Sequence, residues 1–259
     1  MIMLLLVQVL LLLEMFQKTL QLLESLPKLS KLMVTKYKNN KMMKYVALIP
    51  ARGGSKRLPR KNVLPLASKP LIAHSIDYAK NENIPVYVST DDEEIINISK
   101  EYGAEIIERP AELATDTATT ASVLKHAAEY LIKNRVEFDY IILLQATNPL
   151  RPKGMIQDAI KIVEEQNPTS LMGVNPIIRK QGRITDNRFE PVNYYFGQRS
   201  QDMEVWYYEN GLLYFTSKEK CLEGVVMTPD AYPFVVDHIY GEIDIDTLDD
   251  FRKAEFFME

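Results

Sequence analysis

The 259-residue chain has a single cysteine, Cys221, three histidines and one tryptophan. One cysteine cannot close an intrachain disulfide, so nothing asks for an oxidising compartment, and a cytoplasmic location is expected. So few histidines and cysteines also argue against a zinc site, which draws on several such ligands. Positive charge is not in excess: 31 Lys and Arg stand against 35 Asp and Glu, a net charge of −4. A duplex nucleic-acid binder needs a basic face, so no nucleic-acid partner is expected. No apolar run reaches the roughly 20 residues that span a bilayer. What is present is ordinary: 46% hydrophobic and 25% charged residues exclude disordered, collagenous and disulfide-scaffold classes.

The averages hide an unusual N-terminus. Residues 1–13 read MIMLLLVQVLLLL, and residues 1–42 carry six lysines against two glutamates, leaving 25 positive and 33 negative charges for the rest. No Lys or Arg precedes the apolar run and no A-x-A-like cleavage site follows it, which speaks against a secretory signal. Residues 1–42 are expected to be an extension outside the fold. A membrane-surface or partner helix, or an anchor, are the alternatives, and membrane contact is expected only if that extension is native. The functional domain is expected over residues 43–259.

From Lys44 onward, apolar runs alternate with amphipathic segments. YVALIP (Tyr45–Pro50) and YIILL (Tyr140–Leu144) suit strands buried on both faces. Pro85–Ser89, Ala104–Ile107, Ser170–Val174, Gly211–Thr216 and Ile239–Ile245 read as further strands. Helices are expected over Pro70–Lys80, Glu93–Tyr102 (with Gly103 as its C-terminal cap), Thr117–Asn134, Gly154–Glu165 and Thr247–Phe257. This alternation implies an α/β fold, a doubly wound and mostly parallel sheet. Pro176–Tyr208 is polar and aromatic without a period and reads as an inserted arm.

The most informative stretch, IPARGGSKRLPRKN (Ile49–Asn62), follows the first strand directly. Ligands of open α/β sheets bind beyond the carboxyl ends of strands. Gly53 and Gly54 allow close backbone approach to a ligand. Arg52, Lys56, Arg57, Arg60 and Lys61 put five cations within ten residues, which makes a phosphate cradle. A solvated cationic turn is the plainer alternative. The loop fits neither the Walker A nor the G-x-G-x-x-G pattern.

This loop resembles the signature of the CMP-nonulosonate synthetases, the N-acylneuraminate cytidylyltransferases. VSTDDEEI (Val88–Ile95), ERPAELATDTATT (Glu108–Thr120), LLQATNPLR (Leu143–Arg151), RSQD (Arg199–Asp202), YENG (Tyr208–Gly211) and DIDT (Asp244–Thr247) match the same family in order. The resemblance covers about residues 44–257. Synthetases for the eight-carbon sugar Kdo usually have Lys-Pro where this chain has Lys61-Asn62, and the G-x-G-T-R-L loop of hexose-1-phosphate enzymes is absent. RSQDMEV is closer to the pseudaminate branch, LLQATNPLR and YENGLLYF to the neuraminate branch, so the resemblance leaves the sugar open.

The resemblance implies a Rossmann-like nucleotide-sugar transferase fold. It also implies a reaction of CTP with a free nine-carbon 2-keto acid sugar, giving a CMP-sugar and pyrophosphate, and a homodimer. By the same resemblance Arg52, Gly53, Gly54, Ser55, Lys56, Lys61 and Asn62 hold the nucleotide's phosphates and ribose. Arg109, Thr120 and Gln145 read cytosine and brace the nucleotide. Arg199, Lys61 and Asp244 form the catalytic set, and Gln201 and Asn210 contact the sugar. Asp244 and Asp246, two apart, share one face of an extended segment and suit Mg²⁺, an oxygen-seeking ion; either could also accept the sugar's proton. Structural alternatives remain: Thr115 could start a helix, Asp246 could cap one, Asp249 and Asp250 could be solvated first-turn residues, and Asn210-Gly211 could be a plain turn. A non-catalytic nucleotide-binding paralogue is the competing class, against which stands the presence of Arg52, Lys61, Arg199, Asp244 and Asp246.

Overall fold

The computed structural model describes residues 42–55 and 57–258. The expectations for residues 1–41 and for Lys56 therefore fall outside the described residues. Lys44–Glu259 forms one compact unit, and no helix among the described residues is long and apolar enough to cross a membrane.

Strand β1 (Tyr45–Pro50) lies inside the sheet with its four middle residues buried. Its apolar run has no polar face because helices cover both sides. Two short strands, β2 (Pro65–Leu66) and β3 (Lys69–Pro70), pair with each other and lead into helix α1 (Leu71–Asn81). Then follow β4 (Val86–Thr90), α2 (Glu93–Glu101), β5 (Glu105–Glu108), α3 (Thr120–Lys133), β6 (Tyr140–Leu143), α4 (Met155–Gln166) and β7 (Ser170–Ile177). The arm holds a hairpin, β8 (Gly182–Thr185) and β9 (Arg188–Pro191). The chain returns through the long β10 (Trp206–Ser217), α5 (Lys218–Glu223), β11 (Tyr232–Val235) and α6 (Leu248–Phe256).

The seven-stranded sheet runs β11-β7-β10-β6-β1-β4-β5. β1 pairs in parallel with β4 and β6, and β4 with β5. β10 is antiparallel to both neighbours, β6 and β7, while β11 runs parallel to β7. One antiparallel strand among seven makes the sheet mostly parallel, as expected. The chain leaves β1 first towards β4 and later returns on its other side at β6. That reversal opens a crevice beyond the ends of β1 and β6, the place where such sheets hold ligands.

Local chemistry sets several boundaries. Asp92 caps α2 by accepting from the Ile95 amide at 3.0 Å, and Gly103, at φ +79°, follows its C-terminal turn. Thr119, not Thr115, caps α3, accepting from the Ser122 amide. Thr247, not Asp246, caps α6, in a capping box whose return bond is the Asp250 carboxylate accepting from the Thr247 amide. Asp250 is thus a capping group rather than a merely solvated one, and Asp246 is left free for other work.

Ile239–Ile245 is not a strand. Ile239–Glu242 is a 3-10 turn capped by His238, and the segment after it is extended but joins no ladder. Its apolar alternation has another cause: Ile243 and Ile245 are buried with Leu66, Leu71, Leu150 and Phe251 in a cluster beneath α6. A larger core cluster packs Leu124, Ala128 and Leu131 of α3 against Val46 and Leu48 of β1 and Ile141 of β6.

Candidate active site

Two clefts open at the carboxyl ends of β1 and β6, and Gln145 lines both. The first, of about 540 Å³, is walled by Arg52, Ser55, Arg57, Lys61 and Asn62 from the loop after β1, by Arg109, and by Thr115, Asp116 and Ala118–Thr120 leading into α3. Asp246 closes its far side. The second, of about 710 Å³, lies towards β7 and β10 and includes Arg179, Tyr208, Glu209, Asn210, Tyr214, Glu242, Asp244 and Lys253.

The first cleft gathers Arg52, Ser55, Lys61, Asn62, Arg109, Thr120 and Gln145, all of them expected nucleotide-site residues. Asn62 is buried and donates to the Arg52 carbonyl at 3.1 Å, which folds the basic loop back on itself. Arg52 reaches across the cleft, donating to the Thr115 carbonyl at 3.0 Å and pairing with Asp116 at 2.9 Å. Arg109 is buried and donates to the backbone carbonyl of Ser89 at 2.6 Å and to its hydroxyl at 3.2 Å; burial lowers its pKa.

Gly53 has a structural reason to be bare beside the expected approach to a ligand. A Cβ there would lie 2.4 Å from Asp92 Oδ2. Its bareness accommodates the α2 cap, which Arg60 also grips. Gly54 has open space around its Cβ position.

Among the described residues Lys61 is the most enclosed cation of the loop, its side chain only 12% exposed. Its Nζ donates to the Ile245 carbonyl at 2.6 Å and to Asp246 Oδ1 at 2.9 Å. Arg57, unremarked in the sequence beyond its charge, donates to Asp246 Oδ2 at 2.6 Å. The DIDT segment is in turn tied to the LLQAT motif: the Ile245 amide donates to the Thr147 carbonyl at 2.8 Å, and Asn148 Nδ2 to the Ile243 carbonyl at 2.9 Å. The two carboxylates thereby face different clefts, Asp244 the larger and Asp246 the basic one. They remain electrostatically coupled. Partial desolvation raises the Asp244 pKa first, a hydrogen bond from Thr147 lowers it, and the Asp246 charge raises it again.

Among the described residues no group of three or more His, Cys, Asp or Glu side chains converges as a metal cage. The donor set still fits Mg²⁺, which takes one or two carboxylates and completes its shell with water and substrate phosphates. Asp244 is exposed at the rim of its cleft, and partial desolvation together with the neighbouring carboxylate disfavours its charged form, which a cation would relieve.

In the larger cleft, Asn210 is buried and structural: its Nδ2 donates to Asn175 Oδ1 at 2.8 Å and its Oδ1 accepts from the Leu212 amide at 3.0 Å. Gly211 is no hairpin turn. It sits within β10 at φ +72°, where the register shifts between Glu209 and Tyr214. Tyr214, which the sequence reading passed over, donates to Glu209 Oε1 at 2.5 Å and lies 3.4 Å from Gln145 Nε2.

Arg199 and Gln201 line neither cleft. Both are exposed on a 3-10 turn of the arm, where Arg199 pairs with Asp202 at 2.7 Å. The structure gives them no shared place with Asn210.

A family model for cytidylyltransferases matches residues 46–259. Pseudaminic acid cytidylyltransferase of Campylobacter jejuni is 36% identical over 224 residues, 82% of this chain and 95% of the relative. N-acylneuraminate cytidylyltransferase of Streptococcus agalactiae is 35% identical over 219 residues, 81% of this chain and 52% of the relative. CMP-N,N'-diacetyllegionaminic acid synthase of Legionella pneumophila is 34% identical over 232 residues, 84% and 97% of the two chains. Among solved structures, a CMP:2-keto-3-deoxy-manno-octonic acid synthetase complexed with CTP shares the fold, with a TM-score of 0.61 at 18% identity over 83% of this chain and 98% of the other.

Proposed function

We propose the following activity for this chain, which belongs to the cytidylyltransferase family and within it to the CMP-nonulosonate synthetases: it transfers the cytidylyl group of CTP to the anomeric hydroxyl of a nine-carbon 2-keto acid sugar and releases pyrophosphate. The observation that carries this reading is the pair of clefts meeting at Gln145, one walled mainly by cations and the other by side chains of both charges with polar groups between them.

The basic cleft takes CTP. Arg52, Ser55, Lys61 and Asn62 hold its phosphates and ribose, and Arg109, Thr120 and Gln145 brace the nucleotide. Catalysis of phosphoryl transfer is mainly positioning and charge neutralisation, and Arg57 and Lys61 exchange Asp246 for phosphate oxygens when the triphosphate enters. Asp244 and Asp246, at the junction of the two clefts, would hold Mg²⁺, which would polarise the α-phosphate and neutralise the leaving group. Asp244 or Asp246 accepts the proton of the attacking hydroxyl directly or through water. The acceptor lies in the larger cleft beside Tyr214, Glu209 and Asn210.

N-acylneuraminate is the first candidate acceptor, supported by YENGLLYF. Pseudaminate is the second, supported by RSQDMEV and the 36% identity to the Campylobacter enzyme. The arm carries exposed apolar side chains, Ile184 at 77% and Phe196 at 70% exposure among them. It would cover them against a second copy of the chain, bringing Arg199 and Gln201 to the neighbour's acceptor cleft; sedimentation at micromolar concentration as a dimer is the expected result, and a monomer would remove that role. The activity itself is tested with CTP, Mg²⁺ and a panel of neuraminate, legionaminate, pseudaminate and Kdo, reading pyrophosphate. Turnover with a nonulosonate supports the reading, and no turnover with any of the four refutes it.

A further inference from the structure

Arg151 closes the LLQATNPLR motif but lines neither cleft. It is buried, at 7% exposure, and burial, opposed in part by Tyr78, pushes its pKa down to about 10. Enclosing a guanidinium is costly unless its donors are all used. Here each of its three nitrogens donates, and each to a different segment of the chain. Nη2 donates to the Gln145 carbonyl at 2.8 Å, Nη1 to the Ser75 hydroxyl of α1 at 2.9 Å, and Nε to the Leu212 carbonyl of β10 at 2.7 Å. Ser75, itself fully buried, donates to the same Gln145 carbonyl at 3.3 Å. The Tyr78 ring covers the guanidinium, 5.7 Å from its carbon.

The place matters as much as the bonds. The β6–β10 ladder ends at the pair Leu143–Tyr214. Beyond it β10 shifts register through Asn210-Gly211, and β6 gives way to the loop that carries Gln145. No strand pairing fixes the distance between these two segments, although one holds the residue common to both clefts and the other lines the larger cleft. The Arg151 fork spans that gap. A lysine could reach only part of it, because an ammonium lacks the planar, divergent donors.

We propose that Arg151 is a positioning residue for the transfer reaction: it sets the spacing between Gln145 and the β10 segment Glu209–Tyr214, and so between bound nucleotide and bound acceptor. The claim rests on the proposed function for the meaning of the two clefts, but the spacing can be tested apart from it.

The test is a double-mutant cycle on the full chain. Arg151→Lys and Arg151→Met are made alone and with Gln145→Ala, and kcat and KM are measured with CTP and the acceptor that the wild type turns over. Each Arg151 variant is expected to lose about 100-fold in kcat/KM, mostly in kcat, the size of loss that a misplacement of about 1 Å produces. In the Gln145→Ala background the same change should cost less than about threefold, because residues acting as a unit are not additive. A purely structural role would instead give the full loss in both backgrounds and overturn the proposal, as would wild-type kinetics for Arg151→Lys. If Arg151→Met does not fold, the lysine variant carries the cycle. If the wild type turns over none of the acceptors, the functional reading fails, and amide exchange of Arg151→Lys then decides the positioning claim. Faster exchange confined to residues 145–148 and 209–214 supports it; unchanged or uniformly faster exchange overturns it.

Discussion

Asp246→Asn separates the chemical role of the DIDT segment from its structural one. In the wild type Asp246 receives Lys61 at 2.9 Å and Arg57 at 2.6 Å, with its own side chain 41% exposed. The substitution removes the charge but keeps the shape and one acceptor oxygen. Lys61 retains the Ile245 carbonyl at 2.6 Å, so its ammonium is not orphaned. The lost charge assistance, discounted for solvent screening, is worth about 1–2 kcal/mol. For a domain of this size that lowers Tm by about 2–8 °C. The effect on turnover should be far larger. If Asp246 holds the proposed Mg²⁺, its loss should cost about 3–4 kcal/mol of transition-state stabilisation, or about 10²–10³-fold. Pyrophosphate release followed across a Mg²⁺ titration, beside a thermal melt, reads both. A variant that melts as expected yet keeps the wild-type kcat at saturating Mg²⁺ refutes the metal role of Asp246.

Three further outcomes follow from individual contacts. Partial desolvation raises the folded-state pKa of Asp244 above its unfolded value, so ionising it at neutral pH costs the folded protein stability. Asp244→Asn should then raise Tm at neutral pH, with the gain fading as pH falls through the folded pKa towards the ordinary carboxylate value; a gain that grows on acidification would contradict the assignment, and the same variant should lose turnover. Gly53→Ala would drive a methyl to 2.4 Å from Asp92 Oδ2, which Arg60 and the Ile95 amide hold in place; a loss of about 1–3 kcal/mol in urea unfolding is expected, and an unchanged midpoint would show that the loop yields freely. Thr247→Ala deletes the α6 cap and should cost about 1 kcal/mol without a change in KM for CTP, since Thr247 lines neither cleft.

The elements easiest to read in the sequence were those whose pattern has one physical cause. YVALIP and YIILL are continuous apolar runs because both faces of β1 and β6 are covered, and their loops carry the cations and Gln145 to one crevice. Ile239–Ile245 shows the same signal misleading: alternation there reflects two isoleucines buried beneath a helix, with no strand alongside. β11 went unseen because YPFV has a proline and mostly exposed residues, which is typical of an edge strand. The β8–β9 hairpin has no buried residue among its eight, so no core face imposes a period on it.

The site was legible by residue type more than by role. Lys61, Asn62 and Gln145 stand at the clefts because their motifs follow strand ends. At Gly53 the fold adds a second demand, the close approach of Asp92, 39 positions on, which no local pattern reveals. Arg151 and Tyr214 were missed for a related reason: Arg151 bonds Ser75, Gln145 and Leu212, and Tyr214 meets Gln145, and only the folded sheet brings β10 beside the end of β6.

The central claim, transfer of a cytidylyl group to a keto-acid sugar, is tested most directly by ³¹P NMR of the full chain with CTP, Mg²⁺ and a mixture of the four acceptor sugars. The account predicts loss of the triphosphate signals with one-for-one appearance of free pyrophosphate and a single sugar-linked CMP phosphodiester. Production of CDP and inorganic phosphate, or no consumption of CTP at all, would contradict it.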